Sequence, residues 1–465
     1  MTSTVPSPSR VPCSGPDSAS GSASDSDSGF GSGSGSGSGE ADLLVRAGQV
    51  LRPALSLYLD LHAHPEPSGQ EARTAEVFAD RLAAAGLEVT REVGGHGVVA
   101  VLRNGPGPSV WLRAELDALP MREETGLPYA SRNEAMHACG HDLHLAAAAG
   151  AAELLAALSE RWRGTLVVVG QPAEETLTGA EAMLRDGLYE RFGRPAVVLA
   201  QHAAPLPSGT VAHMTDGGPP VTGAGAVLDV TLHGRGGHAA TPHLAVDPVL
   251  AAASVVTRLQ GVVSREAAPS AQVAVNVGTL RAGAAANVIP DRATLGVGVR
   301  AADEASLDRA LAAVRRIAHG ESVAAGAPRD PEVTVVSRSA ALRCDPAATA
   351  AAWGAHARLL GPGRVLPWPG SLATEDFPLF GDAGAGIHGE SGIPLVYWML
   401  GVAGEERPDG EPPAPNHSPH FAPDVRTALR PAIAAAAAAA LDRFAAGPGG
   451  GSGSVQGSGA VAEGQ

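Results

Sequence analysis

The sequence predicts an α/β protein: a mostly parallel-sheet domain interrupted by an inserted, smaller ferredoxin-like α+β domain. Three observations lead there. From residue 97 to 200, short apolar β-like runs alternate with helical patterns, as in βαβ units covered on both faces. Between 226 and 336 the order becomes β-α-β-β-α-β, the split unit of ferredoxin-like domains. Beyond that stretch the α/β pattern returns, so the small domain sits inside the large one.

The elements follow from local patterns. Leu44, Val45, Leu51, Leu55 and Leu59 recur at helical spacing over 43–61, with Pro53 expected to break or kink the helix. A second helix is expected over 71–85, stopped by Gly86. β-like runs at 97–102 and 110–113 precede an alanine-rich helix over 143–158. A strand at 165–169, a helix near 180–188 and a strand at 196–200 follow. Residues 216–225, rich in Gly, Pro and Thr, read as a linker. The insert then reads as strand 226–232, helix 246–259, strands 273–280 and 294–299, helix 305–317 and strand 332–336. A strand at 395–400 and a helix at 429–444 complete the chain. The expected division is a main domain over 40–219 and 333–446 with an insert over 220–332. Tails at 1–39 and 447–465, nearly all small and polar, carry too little apolar surface to order.

Composition narrows the function. The 465 residues carry a formal charge of −15, which argues against a nucleic-acid partner. No run approaches ~18 strongly apolar residues, and the alanines of 432–441 are too weakly hydrophobic to insert, so no membrane span is expected. The first twenty residues lack the pattern of a signal peptide, and Cys13, Cys139 and Cys344 make no disulfide framework. A cytoplasmic location is the expectation. All 33 basic residues are arginine, which removes lysine Schiff-base chemistry and the lysine of a P-loop.

The 16 histidines cluster beside Asp, Glu, Gly and Cys. Cys139 and His141 flank Gly140 on a turn before a helix, and thiolate with imidazole is a common transition-metal pair. Asp142 is placed to orient an imidazole from behind. Glu174 and Glu175 follow a strand at its carboxyl end, where one can bind a metal and the other act as general base. Gln201-His202 occupies the equivalent position after the next strand, and His417-Ser418-Pro419-His420 follows a third. Within the insert, His238 and His243 lie on a glycine-rich turn, Asn287 precedes a strand, and Arg300 suits a substrate carboxylate. Those glycines do not lead from a strand into a helix, which rejects dinucleotide binding. Two other readings stay open: a thiol hydrolase using Cys139 with His141, and a metal-bound binding protein without turnover.

Together the motifs LHAHPEPSGQE (61–71), ELDALPM (115–121), HACGHDLH (137–144), QPAEE (171–175), GGHAATPH (236–243), NVIP (287–290), EDF (375–377) and HSPHF (417–421) carry a resemblance. Over about 43–444 the chain resembles metal-dependent amidohydrolases of the aminoacylase and carboxypeptidase type. The similar branch contains hippurate hydrolase, the auxin-amino acid conjugate hydrolases and N-acyl amino acid deacylases. The resemblance implies hydrolysis of the amide bond of N-acyl amino acids or related small acylated amines, by a metal-bound hydroxide. It implies two divalent ions, zinc or manganese, while the donor types also suit cobalt or nickel. Cys139, His141, Glu175, His202 and His417 are the implied ligands, Glu174 the general base, and Asp117 a residue behind a ligand. His238 and Asn287 are the implied oxyanion groups of the insert, the histidine reaching across a homodimer formed through the insert. His243 stays an alternative to His238, and His420 is not an implied ligand. Two departures stand out: Glu115 where aspartate is usual, and Thr176-Leu177-Thr178 where small glycines are usual.

Overall fold

The computed structural model describes residues 37–404 and 412–446. The expected tails lie outside the described residues, except that 37–39 are helical. Helix α1 (Gly37–Ala63) runs unbroken through Pro53, against the expected break. Tertiary packing overrides the proline: Ala47, Val50, Ala54, Leu57, Tyr58 and Leu61 are buried on both sides of it. Helix α2 (Ala72–Ala84) ends just before Gly86, whose φ of +88° supplies the turn.

Strands β1 (Glu88–Val93), β2 (Gly97–Asn104) and β3 (Ser109–Glu115) lead to helix α3 (His141–Ala157) and strand β4 (Gly164–Gln171). Helices α4 (Gly179–Arg185) and α5 (Leu188–Phe192) precede β5 (Val197–Pro207) and β6 (Val211–His213). The insert comprises β7 (Ala224–His233), β8 (Gly237–His238), α6 (Pro248–Gly261), β9 (Ala274–Ala282), β10 (Val288–Ile289), β11 (Arg292–Ala301), α7 (Glu304–Ala324) and β12 (Glu332–Ser339). The chain returns through α8 (Pro346–Leu360), β13 (Val365–Pro367), α9 (Ala385–His388), β14 (Leu395–Ala403) and α10 (Val425–Ala445).

The large sheet has the order β1-β2-β4-β3-β5-β14-β6-β13. Its central strands β4, β3, β5 and β14 are parallel, as the alternating pattern implies, while β1, β2 and β6 pair antiparallel at its flanks. Buried residues of α1, α3, α8 and α10 cover one face, and those of α4, α5 and Phe377–Phe380 the other. The insert forms a separate antiparallel sheet, β12-β7-β11-β9, with α6 and α7 against one face. Because β12 pairs with β7 along Glu332–Ser339, the insert extends past residue 332 and the expected boundary would cut its last strand. Strand β5 also continues beyond the expected 196–200, so His202 lies within it, opposite Met399. Among the described residues, no helix is long and apolar enough to cross a membrane.

A buried pair of histidines joins three elements. His213 at the end of β6 donates from Nε2 to His356 Nδ1 of α8 (2.9 Å), and His356 Nε2 donates to the Ala435 carbonyl of α10 (3.0 Å). Burial lowers the pKa of His356 to about 4 and that of His213 well below its ordinary value. Both rings are neutral in the folded chain and titrate normally once it unfolds. Their contribution to stability is therefore complete above the unfolded value near 6.5 and is lost as pH falls toward about 4. Urea unfolding across this interval should show a loss smaller by up to ~3 kcal/mol in His356→Gln than in wild type. Equal slopes would remove the pair from the acid response.

Candidate metal centre

The site forms at the carboxyl ends of the central parallel strands, where open α/β sheets present their loops. The loop after β3 brings Asp117 and Cys139, α3 begins with His141, the turn after β4 carries Glu174 and Glu175, and β5 carries His202. His417 comes from the loop after β14. Its N–H donates to the Ala138 carbonyl (2.9 Å), and its φ of +64° lies in the left-handed region that disfavours a β-carbon. Gly140, at φ +83°, permits the turn between Cys139 and His141; a β-carbon there would come within 2.8 Å of the Ala203 side chain.

Cys139, His141, Glu174, Glu175, His202 and His417 converge. Cys139 Sγ lies 3.3 Å from His202 Nε2, and His417 Nε2 lies 3.4 Å from Glu175 Oε1. His141 Nε2 is 3.8 Å from Glu174 and 4.0 Å from Glu175. The ligating atoms of Cys139, His141 and His202 form one compact group and those of Cys139, Glu175 and His417 another, sharing the thiol. The rings are held from behind: His141 Nδ1 donates to the Asp117 carbonyl (2.9 Å) and His202 Nδ1 to the Ala203 carbonyl (2.9 Å). Each therefore turns Nε2 inward, the arrangement that second-layer acceptors impose on metal-binding imidazoles. Asp117 Oδ2 also accepts the Glu175 N–H (2.9 Å) and the Ser68 hydroxyl (2.7 Å).

Two buried atoms at the centre, His141 Nε2 and Glu175 Oε1, have no hydrogen-bond partner among the described residues, the His417 ring meeting Glu175 Oε1 only at 3.4 Å. Unpaired buried polar atoms are costly, and cations satisfy both at once. The thiolate, imidazole and carboxylate set thus fits a transition-metal pair. Burial opposes ionisation of Cys139, but the imidazoles of His202, His141 and His417 hold its thiol well below the usual range. Burial together with the Glu375 and Glu175 carboxylates pushes Glu174 well above the ordinary carboxylate value.

Not every expected residue joins this group. Arg300 borders the same cavity of about 460 Å3, its guanidinium donating to the Leu372 carbonyl (2.8 Å). His238 and Asn287 meet on the exposed β8–β10 ribbon, where the Ala239 N–H donates to the Asn287 carbonyl (3.1 Å), and neither lines the cavity of its own chain. His243 is exposed on a neighbouring turn, and His420 donates to the Glu124 carbonyl (3.0 Å). Asp142 corrects an expectation: its Oδ2 pairs with His62 Nδ1 (2.7 Å), so it orients that buried histidine and none of the converging imidazoles. A helix start directs Asp142 away from His141 because successive helical side chains do not share a face.

Sequence reasoning missed the floor of the site. Arg113, fully buried on β3, pairs with Glu115, with Glu375 (2.8 Å) and with Asp376 (3.0 Å), and donates to Gln171 (2.9 Å). Tyr397 donates to Glu375 (2.9 Å). Burial and the Glu375 charge, against the pull of Arg113, raise Asp376 to about 8. Glu71 accepts the Ala173 N–H (2.9 Å) and so holds the turn that carries Glu174. The strand pattern around Arg113 and the EDF motif were the available signals; neither tells where the acids meet.

Known proteins are similar to this chain in sequence and fold. Hippurate hydrolase of Campylobacter jejuni is 41% identical over 245 residues, 52% of this chain and 63% of that protein. N-acetyl-L-cysteine deacetylase of Bacillus subtilis is 37% identical over 245 residues, 52% of this chain and 58% of that protein. The match therefore spans less than two thirds of the length of these relatives. A solved structure from methicillin-resistant Staphylococcus aureus superposes with a TM-score of 0.75 at 29% identity, covering 86% of this chain and 99% of that one. A dinuclear metal-binding peptidase of the M20 family from Bacillus subtilis does so with a TM-score of 0.68 at 28% identity, covering 85% and 98%. With a family model matching residues 111–442, a range that holds every converging residue and the whole insert, the chain belongs to peptidase family M20/M25/M40.

Proposed function

We propose that this protein is a two-metal amidohydrolase that cleaves N-acyl amino acids or related small acylated amines. The observation that carries the reading is the convergence of Cys139, His141, Glu175, His202 and His417, two of whose buried ligating atoms, His141 Nε2 and Glu175 Oε1, make no hydrogen bond among the described residues, with Glu174 beside them. In this reading the five residues hold two divalent cations, zinc or manganese by donor type, with cobalt and nickel as alternatives. Such a pair polarises an acyl carbonyl and lowers the pKa of water. Glu174 takes the proton of the attacking water as the C–O bond forms. The same carboxyl then gives it to the departing nitrogen as the C–N bond breaks. Free, buried thiols at Cys139 and Cys344 suit a reducing compartment such as the cytoplasm.

Arg300, at the cavity edge, is positioned in this reading to pair with the substrate carboxylate. The ribbon carrying His238 and Asn287 is exposed, with Val288 within it 53% exposed and Leu244 and Leu250 in the segment that follows β8 64% and 68% exposed. Burying that apolar surface in a homodimer would bring the two donors to the neighbouring subunit's cavity, where they would meet the developing oxyanion. The thiol-hydrolase reading pairs Cys139 with His141, whereas the imidazole 3.3 Å from the Cys139 sulfur is that of His202. It leaves Glu175 and His417 without a task, and exhaustive chelation separates the two readings.

Glu174→Gln should retain two equivalents of metal by elemental analysis yet lose ~10²–10⁴-fold in turnover; near wild-type rates would sink the base assignment. Arg300→Ala should erase the preference for a free-acid substrate over its amide, and unchanged discrimination would exclude Arg300 from the site. Mixing inactive Glu174→Gln and His238→Ala proteins under subunit exchange should restore activity through heterodimers with one intact composite site. Absence of recovery despite demonstrated exchange would confine His238 to its own chain.

A further inference from the structure

The third histidine of the HACGHDLH motif has no part in the chemistry above, yet it lies among the converging groups. His144 is buried in the first turn of α3, its ring centroid 4.9 Å from that of His202 and 5.6 Å from that of His141. Both of its nitrogens are engaged by protein. Its Nε2 accepts the backbone N–H of Ala203 (2.8 Å), and its Nδ1 lies 2.7 Å from Glu115 Oε2. A backbone N–H can only donate, so Nε2 carries no proton and the ring is the Nδ1–H tautomer donating to Glu115. Glu115 is in turn held by Arg113.

Ala203 is the junction this serves. Its carbonyl accepts from His202 Nδ1 (2.9 Å) and from Asn416 Nδ2 (3.1 Å), the residue before His417. Its side chain packs where only a glycine fits at position 140, between Cys139 and His141. One residue without a functional group of its own thus touches the three segments that carry four of the five candidate ligands. Its N–H ties β5 to the first turn of α3, and His144 supplies the acceptor.

We propose that His144 is a positioning residue for the metal centre: the Arg113–Glu115–His144 relay pins Ala203 and through it the His202 imidazole. The inference rests on the metal-binding reading of the site. Loss of such an outer hydrogen bond commonly weakens metal binding ~10–100-fold. Two substitutions separate the role from simple space filling. In His144→Gln the amide oxygen reaches the Nε2 position and still accepts from Ala203, whereas in His144→Asn the shorter amide reaches only toward Glu115.

Cobalt(II) titration of the full chain against a chromophoric chelator, with the visible spectrum of the bound ion, reads the outcome. His144→Asn should bind at least one cobalt ~10–100-fold more weakly than wild type, with an altered spectrum, and His144→Gln should restore affinity to within about threefold. Equal affinity and spectra in His144→Asn and wild type would overturn the proposal while leaving the metal reading intact. Failure of the wild-type chain to take up cobalt would overturn that reading, and this inference with it. Should His144→Asn not fold, nitrogen NMR of histidine-labelled wild type decides: a Nδ1–H tautomer at His144 supports the relay, and a Nε2–H tautomer overturns it.

Discussion

The burial of Arg113 is the constraint on which the site depends. Its guanidinium sits at the end of β3 beneath the converging residues, among Glu115, Glu375 and Asp376. Glu174, Glu375 and Asp376 also crowd one another, with oxygen atoms close enough to share a cation. So many carboxylates out of water are tolerable only with a cation of fixed geometry among them. Breaking such a buried pairing by removing one partner costs ~3–5 kcal/mol, since the other charges stay buried. A planar fork with five donors suits the task better than an ammonium, and this chain has no lysine to offer. The same pairing joins β3 to the returning segment beyond the insert, so the floor of the site and the closure of the domain are one interaction.

From that floor the site is built outward by backbone groups. Carbonyls of Asp117 and Ala203 fix the two imidazoles, the Asp117 carboxylate fixes the Glu175 main chain, and Glu71 fixes the turn at Ala173. Ala173, Leu177 and His417 are all held at positive φ around the cavity. Conformations of this kind cost of order 1–3 kcal/mol each and persist only where the surroundings over-determine them. Leu177 itself lines the cavity, so the bulk noted after Glu174-Glu175 faces the space a substrate would occupy.

The junction with the insert is equally tight. Gly225 at the start of β7 has Thr374 so close that a β-carbon would meet its methyl at 2.4 Å, and Trp368 donates to the Val221 carbonyl (3.0 Å). Thr222 and Arg300 from the insert side, with Trp368 and Thr374 from the main domain, border the same cavity. Any rotation of the insert therefore changes the shape of the cavity directly.

What the sequence determined by itself was periodic or punctuated. Strand–helix alternation specified the α/β domain, β-α-β-β-α-β specified the insert, and Gly86 and Gly140 marked turns whose positive φ the structure shows. The spacing of Cys139 and His141 about that glycine and the placing of Glu174 and Glu175 after a strand were legible because each lies within one local segment. Tertiary structure decided whatever depends on groups distant in sequence. Proline 53 did not break α1 because burial on both sides outweighed one lost hydrogen bond. The end of the insert was set by the pairing of β12 with β7 through Ser339, since a strand's own pattern does not give the length over which it pairs. Asp142 turned to His62, eighty positions away, and Arg113 met Glu375 and Asp376 across 262 and 263 positions. Local residue order sets which backbone shapes are cheap, but a buried charge finds its partner only once the chain has packed, because desolvation makes that pairing obligatory.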